Sequence, residues 1–126
     1  MRKVIYGVIV VLLCNCSPKL FKEKWTKIKA PETFKARFET TQGNFDIEAK
    51  RAWSPNGVDR LFQLITKNYY QDISIFRVVP NFVAQFGIHN DTLINNSWQR
   101  SGIEDEPVTL KNDAMTIAFA RGGVKS

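Results

Sequence analysis

Apolar and polar residues alternate twice in the first half of this chain. Phe34, Ala36 and Phe38 interleave with Lys35, Arg37 and Glu39; Phe45, Ile47 and Ala49 interleave with Asp46, Glu48 and Lys50. A period of two puts each apolar set on one face, so both runs predict strands with a single buried face. Thr40-Thr41-Gln42-Gly43-Asn44 lies between them, with Gly43 free to take positive φ, so the pair predicts a hairpin. The period then changes. Val58, Leu61, Phe62 and Ile65 fall at i, i+3, i+4 and i+7, the apolar face of a helix. Ser54 as N-cap and Pro55 in the first position start it. Lys67-Asn68 ends it, with a cation in the last turn and an Asn that tolerates a left-handed cap.

Ile73 to Val79, rich in branched and aromatic residues, predicts a strand that Pro80 stops. Phe82 to Ile88 predicts another. Residues 89–113 are polar and turn-rich and read as long loops with a short strand at Val108–Leu110. Ala114 to Ala120 reads as a buried strand, and the last six residues as a loop. One helix cannot cover five strands, whereas closure into a β-barrel removes exposed edges. The expected fold is therefore mainly β with helix, a closed β-barrel that is incomplete in this chain, because the sequence stops in an open loop after an apolar strand.

The 126 residues suit one domain, with 44% hydrophobic and 24% charged residues, a globular balance. Two cysteines and one histidine exclude a disulfide-dense scaffold and the usual zinc sites, so no metal is expected. The net charge of +6 is unevenly spread. Residues 1–37 hold nine basic and two acidic residues, and residues 38–126 hold nine basic and ten acidic. The folded part is near neutral, which argues against nucleic-acid binding. A monomer is expected.

Met1-Arg2-Lys3 is a positive start, and Val4 to Leu13 is an uncharged stretch of ten residues. That is too short to span a bilayer but suits a signal-peptide core. Leu13-Cys14-Asn15-Cys16 then resembles the bacterial lipoprotein lipobox, which implies cleavage before Cys16 and a lipid on its sulfur. Asn15 stands where a small residue is usual in that pattern. The expected division is a signal peptide at 1–15, a lipid-anchored basic linker at 16–35 and a domain at 36–126, placed on the periplasmic side of a bacterial envelope. The linker carries five lysines from Lys19 to Lys29, interspersed with Leu20, Phe21, Trp25 and Ile28. It reads either as a solvated tether or as a basic amphipathic segment on anionic lipid. Ala30-Pro31 ends any helix there.

Ile75 to Gly87, IFRVVPNFVAQFG, resembles the signature of cyclophilin-type peptidyl-prolyl isomerases, with Arg77, Phe82, Gln85 and Gly87 in register. Phe38 to Glu48 resembles the family's first hairpin, Ser54 to Tyr70 its first helix and following aromatic, and Leu110 to Ala120 the stretch before its substrate loop. The likeness covers roughly residues 36–126. It implies a cyclophilin-like barrel, proline-containing polypeptides as substrate and no cofactor. It also implies Arg77 as the catalytic residue, with Phe82, Val83, Gln85, Ala118 and Phe119 contacting substrate. Val83 stands where many members have Met, and Phe119 where they often have Asn or Arg. The family's later Gln-Phe-Phe strand and pocket histidine would follow Ser126, and His89 does not match that histidine.

Rotation about an X–Pro bond faces a barrier of about 18–20 kcal/mol from amide resonance. No bond is broken, so no nucleophile or metal is needed. At the twisted transition state the prolyl nitrogen regains its lone pair, and a guanidinium aimed at it stabilises the twisted form more than either planar form. Phe82 and Val83 read either as a pocket for the proline ring or as barrel core. Gln85 would hold substrate backbone and orient Arg77. Strict alternation puts Val83 and Gln85 on one face and Phe82 on the other, so Phe82 reaches the same pocket only if the chain turns or bulges after Pro80. Three readings remain open: an envelope-anchored isomerase for exported proteins, a binding module for Pro-containing segments without turnover, and an inactive truncated product.

Overall fold

The computed structural model describes residues 18–121. The signal-peptide core, the lipobox and Cys16 lie outside the described residues. Strand β1 (Thr33–Thr40) pairs antiparallel with β2 (Gly43–Lys50), with Phe34 opposite Ala49, Ala36 opposite Ile47 and Phe38 opposite Phe45. Thr41 and Gln42 form the turn and Gly43 takes φ +123°. The alternation resolves as expected: Ile47 and Ala49 are buried, and Phe34, Ala36 and Phe38 half-buried, on the face that meets the helix.

Helix α1 (Pro55–Thr66) lays Val58, Leu61, Phe62 and Ile65 against that face. Its end is built as the sequence predicts. Asn68 takes φ 57°, its N–H donates to the Ile65 carbonyl at 3.1 Å, and the Tyr69 N–H donates to the Leu64 carbonyl at 3.0 Å. This pair of bonds is the Schellman arrangement, and Leu64 and Tyr69 share one buried cluster, its usual apolar contact. The helix start differs from expectation. Ser54 holds the N-cap position, but its hydroxyl caps no helix N–H. The Glu106 carboxylate does so instead, accepting from the N–H groups of Asn56 (2.6 Å) and Gly57 (3.1 Å) and from the Ser54 hydroxyl (2.5 Å). A full negative charge complements the positive end of the helix better than a hydroxyl does.

Strand β3 (Ile75–Val79) and β4 (Val83–Phe86) form a second antiparallel hairpin, and helix α2 (Thr92–Gln99) follows. The sheets are therefore two separate pairs: among the described residues four strands in two ladders form no closed barrel, consistent with the incomplete barrel expected. The strands expected at Val108–Leu110 and Ala114–Ala120 do not form. Those residues are exposed and irregular, because an apolar run becomes a strand only where a neighbour takes its backbone hydrogen bonds. The loop expected over 89–113 contains α2, capped by Asp91, whose Oδ1 accepts from the Leu93 N–H at 2.8 Å and the Ile94 N–H at 3.3 Å.

The solvated-tether expectation for the linker is also corrected between residues 19 and 30. Glu23–Lys27 forms a 3₁₀ turn whose Trp25 is buried with Leu64, Tyr69 and Trp98. Trp25 stacks on Trp98 at 5.5 Å, and Phe21 meets Trp98 edge-on at 5.1 Å. Backbone and side-chain bonds reinforce this strap. The Phe21 N–H donates to Ser97 Oγ (3.0 Å), Trp98 Nε1 to the Lys19 carbonyl (3.3 Å) and Gln63 Nε2 to the Ile28 carbonyl (2.9 Å). A buried Trp surface outweighs the hydration of neighbouring lysines, which keep their ammonium groups in water.

Asp59 joins the strap, the short 3₁₀ turn Arg51–Trp53 that follows β2, and α1. It is only 3% exposed. Its carboxylate takes the Ala30 N–H (2.8 Å), both arms of Arg51 (2.8 and 3.0 Å) and Lys29 (3.1 Å). Burial pushes its pKa up, but Arg51, the Ala30 N–H and Lys29 outweigh burial and hold it at about 2.

Candidate active site

The β3–β4 hairpin carries the residues on which the functional expectation rests. Pro80 and Asn81 make its turn, with Asn81 at φ 59° and the Phe82 N–H donating to the Val79 carbonyl at 3.1 Å. Pro at i+1 and a left-handed Asn at i+2 match a type II turn. The chain thus turns just after Pro80. Phe82 belongs to the turn and not to β4, and 76% of its surface is exposed. The expected strand over Phe82–Ile88 shortens accordingly to Val83–Phe86.

Arg77 stands opposite Gln85 and Val79 opposite Val83. Residues facing each other across an antiparallel pair share a face, so these four lie together on one side of the hairpin. Arg77 Nη1 donates to Gln85 Oε1 at 2.8 Å. The guanidinium is exposed, and Val83 and Gln85 are half-buried. A register shift between Ile75 and Arg77 marks an irregularity at the start of the hairpin. Such shifts strengthen local twist and re-aim side chains.

The hairpin is fixed to the body from its other end. Phe86 meets Phe38 at 5.7 Å, Tyr70 at 5.9 Å and Phe45 at 6.0 Å, all edge-on. The Tyr69 hydroxyl lies between two acceptors, the Gly87 carbonyl at 3.1 Å and Asn95 Oδ1 at 3.0 Å, and Asn95 Oδ1 also accepts from the His89 N–H at 3.2 Å. Burial raises the Tyr69 pKa and raises that of Tyr70 strongly, so both hydroxyls stay protonated. His89 is buried against the Tyr69 ring and its Nδ1 accepts from the Asp91 N–H at 2.9 Å.

Three of the expected site residues, Arg77, Val83 and Gln85, are thus brought together. Phe82 is beside them in the turn. Ala118 and Phe119 are exposed in the irregular stretch, and among the described residues no ring contact or hydrogen bond ties Phe119 to the hairpin. Sequence reasoning assigned nothing to Asn95 and Tyr69, which hold the end of β4. The Asp91 cap and the Ile94/Trp98 spacing were the available signals for that helix. Two clefts lie elsewhere. One of about 180 Å³ is lined by Thr26, Asp59, Gln63 and Glu104, and one of about 480 Å³ by Ala36, Phe38, Ile65 and Tyr70. Neither is lined by Arg77, so neither is taken as the site.

The model of the cyclophilin-type peptidyl-prolyl cis-trans isomerase/CLD family matches residues 35–126. The chain belongs to this family. Peptidyl-prolyl cis-trans isomerase-like 2 of Aspergillus oryzae is 28% identical over 91 residues, which cover 70% of this chain and 16% of that protein. Peptidyl-prolyl cis-trans isomerase-like 1 of Aspergillus niger is 32% identical over 50 residues, 40% of this chain and 31% of that protein. The chain spans less than a third of the length of these curated relatives. No solved structure matches it. The Arg77 hairpin and the first hairpin with α1 both fall inside the cyclophilin match.

Proposed function

We propose that the protein is a peptidyl-prolyl isomerase that rotates X–Pro bonds in polypeptides, with Arg77 as the catalytic residue. The observation that carries this reading is the Arg77–Gln85 bond across the β3–β4 ladder, on a face shared with Val79 and Val83. Gln85 occupies one donor of the guanidinium and fixes its plane, and the remaining N–H groups are free to meet a substrate carbonyl and the pyramidal nitrogen of a twisted amide. Val83 and Phe82 offer apolar surface to the proline ring, and Ala118 and Phe119 contact the flanking residues when substrate binds. The exposed apolar side chains of Val78, Phe82, Met115 and Ile117 favour the two sheets being part of a larger barrel.

The leader pattern supports a lipid on Cys16, a place on the periplasmic side of a bacterial envelope and exported proteins as substrates. A monomer satisfies this role. Mass spectrometry of the mature N-terminus tests the lipid, and an intact Met1 rejects it. A protease-coupled proline-isomer assay of the full chain tests the activity. Turnover that vanishes with Arg77→Ala is expected, and equal rates reject the catalytic role. The second reading, a binding module without turnover, is favoured by the exposure of Ala118 and Phe119 apart from the ladder. It predicts peptide binding with no acceleration in the same assay.

A further inference from the structure

The strap at residues 19–30 turns Phe21, Trp25 and Ile28 inward and leaves its lysines and Leu20 outside. Residues three apart eclipse in a 3₁₀ turn, so Lys24 and Lys27 share one edge, while Trp25 takes the inner one. Lys19, Lys22, Lys24 and Lys27 are exposed, and among the described residues no carboxylate lies within ion-pair distance of them. Lys67 extends the patch from the end of α1, its Nζ 5.2 Å over the Trp25 ring.

We propose that this basic face docks the protein on an anionic lipid surface, with Lys19, Lys22, Lys24, Lys27 and Lys67 against phosphate-bearing headgroups. Charge complementarity is the first argument. Residues 16–37 carry seven basic and two acidic residues, five more basic than acidic, whereas residues 38–126 carry one more acidic than basic, so the electrostatic footprint is one-sided. The second argument is that Phe21, Trp25 and Ile28 pack against the body and Leu20 is the one large apolar side chain of the strap left exposed, which makes charge the main means of binding. Third, the patch begins three residues after Cys16, and an acyl anchor gains firmness from an adjacent polybasic segment. The strap is bonded to both helices through Gln63, Ser97 and Trp98, so docking it orients the whole body against the surface. The inference takes only the envelope placement from the proposed function and is independent of turnover.

The test is co-sedimentation of the unlipidated full chain with vesicles of phosphatidylcholine alone and of phosphatidylcholine with phosphatidylglycerol. The parent protein is expected to favour the anionic vesicles, and to lose that preference at about 1 M salt, where the screening length is about 3 Å. Replacing Lys22→Gln, Lys24→Gln and Lys27→Gln together is expected to lower anionic partition by about 100-fold, roughly fivefold per lysine, and to leave neutral partition and circular dichroism unchanged. Equal anionic binding by parent and triple variant overturns the proposal. So does a preference that survives high salt, or lysine-dependent binding to duplex DNA without binding to vesicles. Because the lipid is absent throughout, a failed Cys16 assignment is read by mass spectrometry and leaves the vesicle contrast as it stands.

Discussion

Gln85 Oε1 accepts one N–H of Arg77 at 2.8 Å across a rung of the second hairpin. A guanidinium offers five donors in a fixed plane, so a single bond to a residue that is itself half-buried orients the rest. The pair is local to one hairpin. Its aim depends on the β3–β4 register, on the ring contacts of Phe86 that seat the hairpin on the first sheet, and on Tyr69, which bonds Gly87 at the end of β4.

Arg77→Ala is expected to lower kcat/KM for X–Pro isomerisation by about 10²–10³-fold, the usual loss for a charge-stabilising donor at a transition state. Arg77→Lys restores little, because an ammonium cannot hold Gln85 and the substrate in one plane. Gln85→Leu is expected to lower kcat by roughly tenfold with KM nearly unchanged, about 1.4 kcal/mol of lost aim. Gln85→Glu, which keeps the acceptor, should recover most of it. A coupled peptide assay with circular dichroism on each variant checks these outcomes, and a KM effect alone would make Gln85 a binding residue.

Much of the hairpin–helix–hairpin order was legible because each element is local. Phe34 to Glu39 and Phe45 to Lys50 alternate strictly, Val58 to Ile65 repeats at helical spacing, and Asn68 can take the left-handed cap without help. The rest is decided at long range. Glu106 caps α1 from 50 residues away, which no window over Ser54-Pro55 contains. The lysines of the strap dominate its composition and hide the inward edge of Phe21, Trp25 and Ile28, which has meaning only once Trp98 is beside it. Ala114 to Ala120 has the composition of a buried strand, but a strand is a pairing, and none of the described residues offers one. For the site, Arg77 and Gln85 were legible as a motif, and their bond follows from register. Ala118 and Phe119 depend on packing that the motif does not specify.

Acid should loosen the junction at Asp59. Its carboxyl is held at about 2, below the ordinary 3.8, so the folded state favours the ionised form. That contribution is complete above about pH 4 and is lost as pH falls through about 2. The shift is worth about 2 kcal/mol. Thermal melts between pH 7 and pH 2 are expected to show Tm falling in that window. Asp59→Asn should lower stability by about 3 kcal/mol at pH 7, leaving Arg51 with only the distant Glu32 carboxylate at 3.9 Å, and should flatten the acid dependence. An unchanged slope in the variant would assign the acid response to other carboxylates.

Gly57 is a helical glycine whose replacement should not help. Gly→Ala in a helix ordinarily gains about 1 kcal/mol. Here the new Cβ would sit 2.6 Å from Ser54 Oγ, and relieving the clash breaks the Ser54–Glu106 bond. Gly57→Ala is therefore expected to be neutral or destabilising, and Ser54→Ala with Gly57→Ala to recover part of the gain. Glu106→Gln removes the charge at the helix start and should cost about 1 kcal/mol. Urea denaturation of the four proteins reads all of this, and a plain gain for Gly57→Ala would show that Ser54 moves aside freely.

Trp25 decides whether the strap is part of the body. Its ring contacts Trp98 and Phe21 and is covered by Lys67. Trp25→Ala removes the largest apolar side chain between the strap and the two helices, and core Trp truncations cost about 3–5 kcal/mol where the site cannot collapse. Some of that cost is avoided here because the strap can peel away, leaving the β1–β2–α1 cluster of Ile47, Ala49, Val58 and Leu61 in place. The expected result is a moderate loss of Tm with a large gain in local opening. Trypsin should then cut at Lys22, Lys24 and Lys27 far faster than in the parent, while cleavage at Arg77 changes little. Fluorescence should report the same event, since Trp98 loses its stacked partner and gains water. Slow cleavage of the strap in Trp25→Ala, equal to that of the parent, would mean that the bonds from Asp59, Gln63, Ser97 and Trp98 hold it and that the stacking of the tryptophan pair adds little.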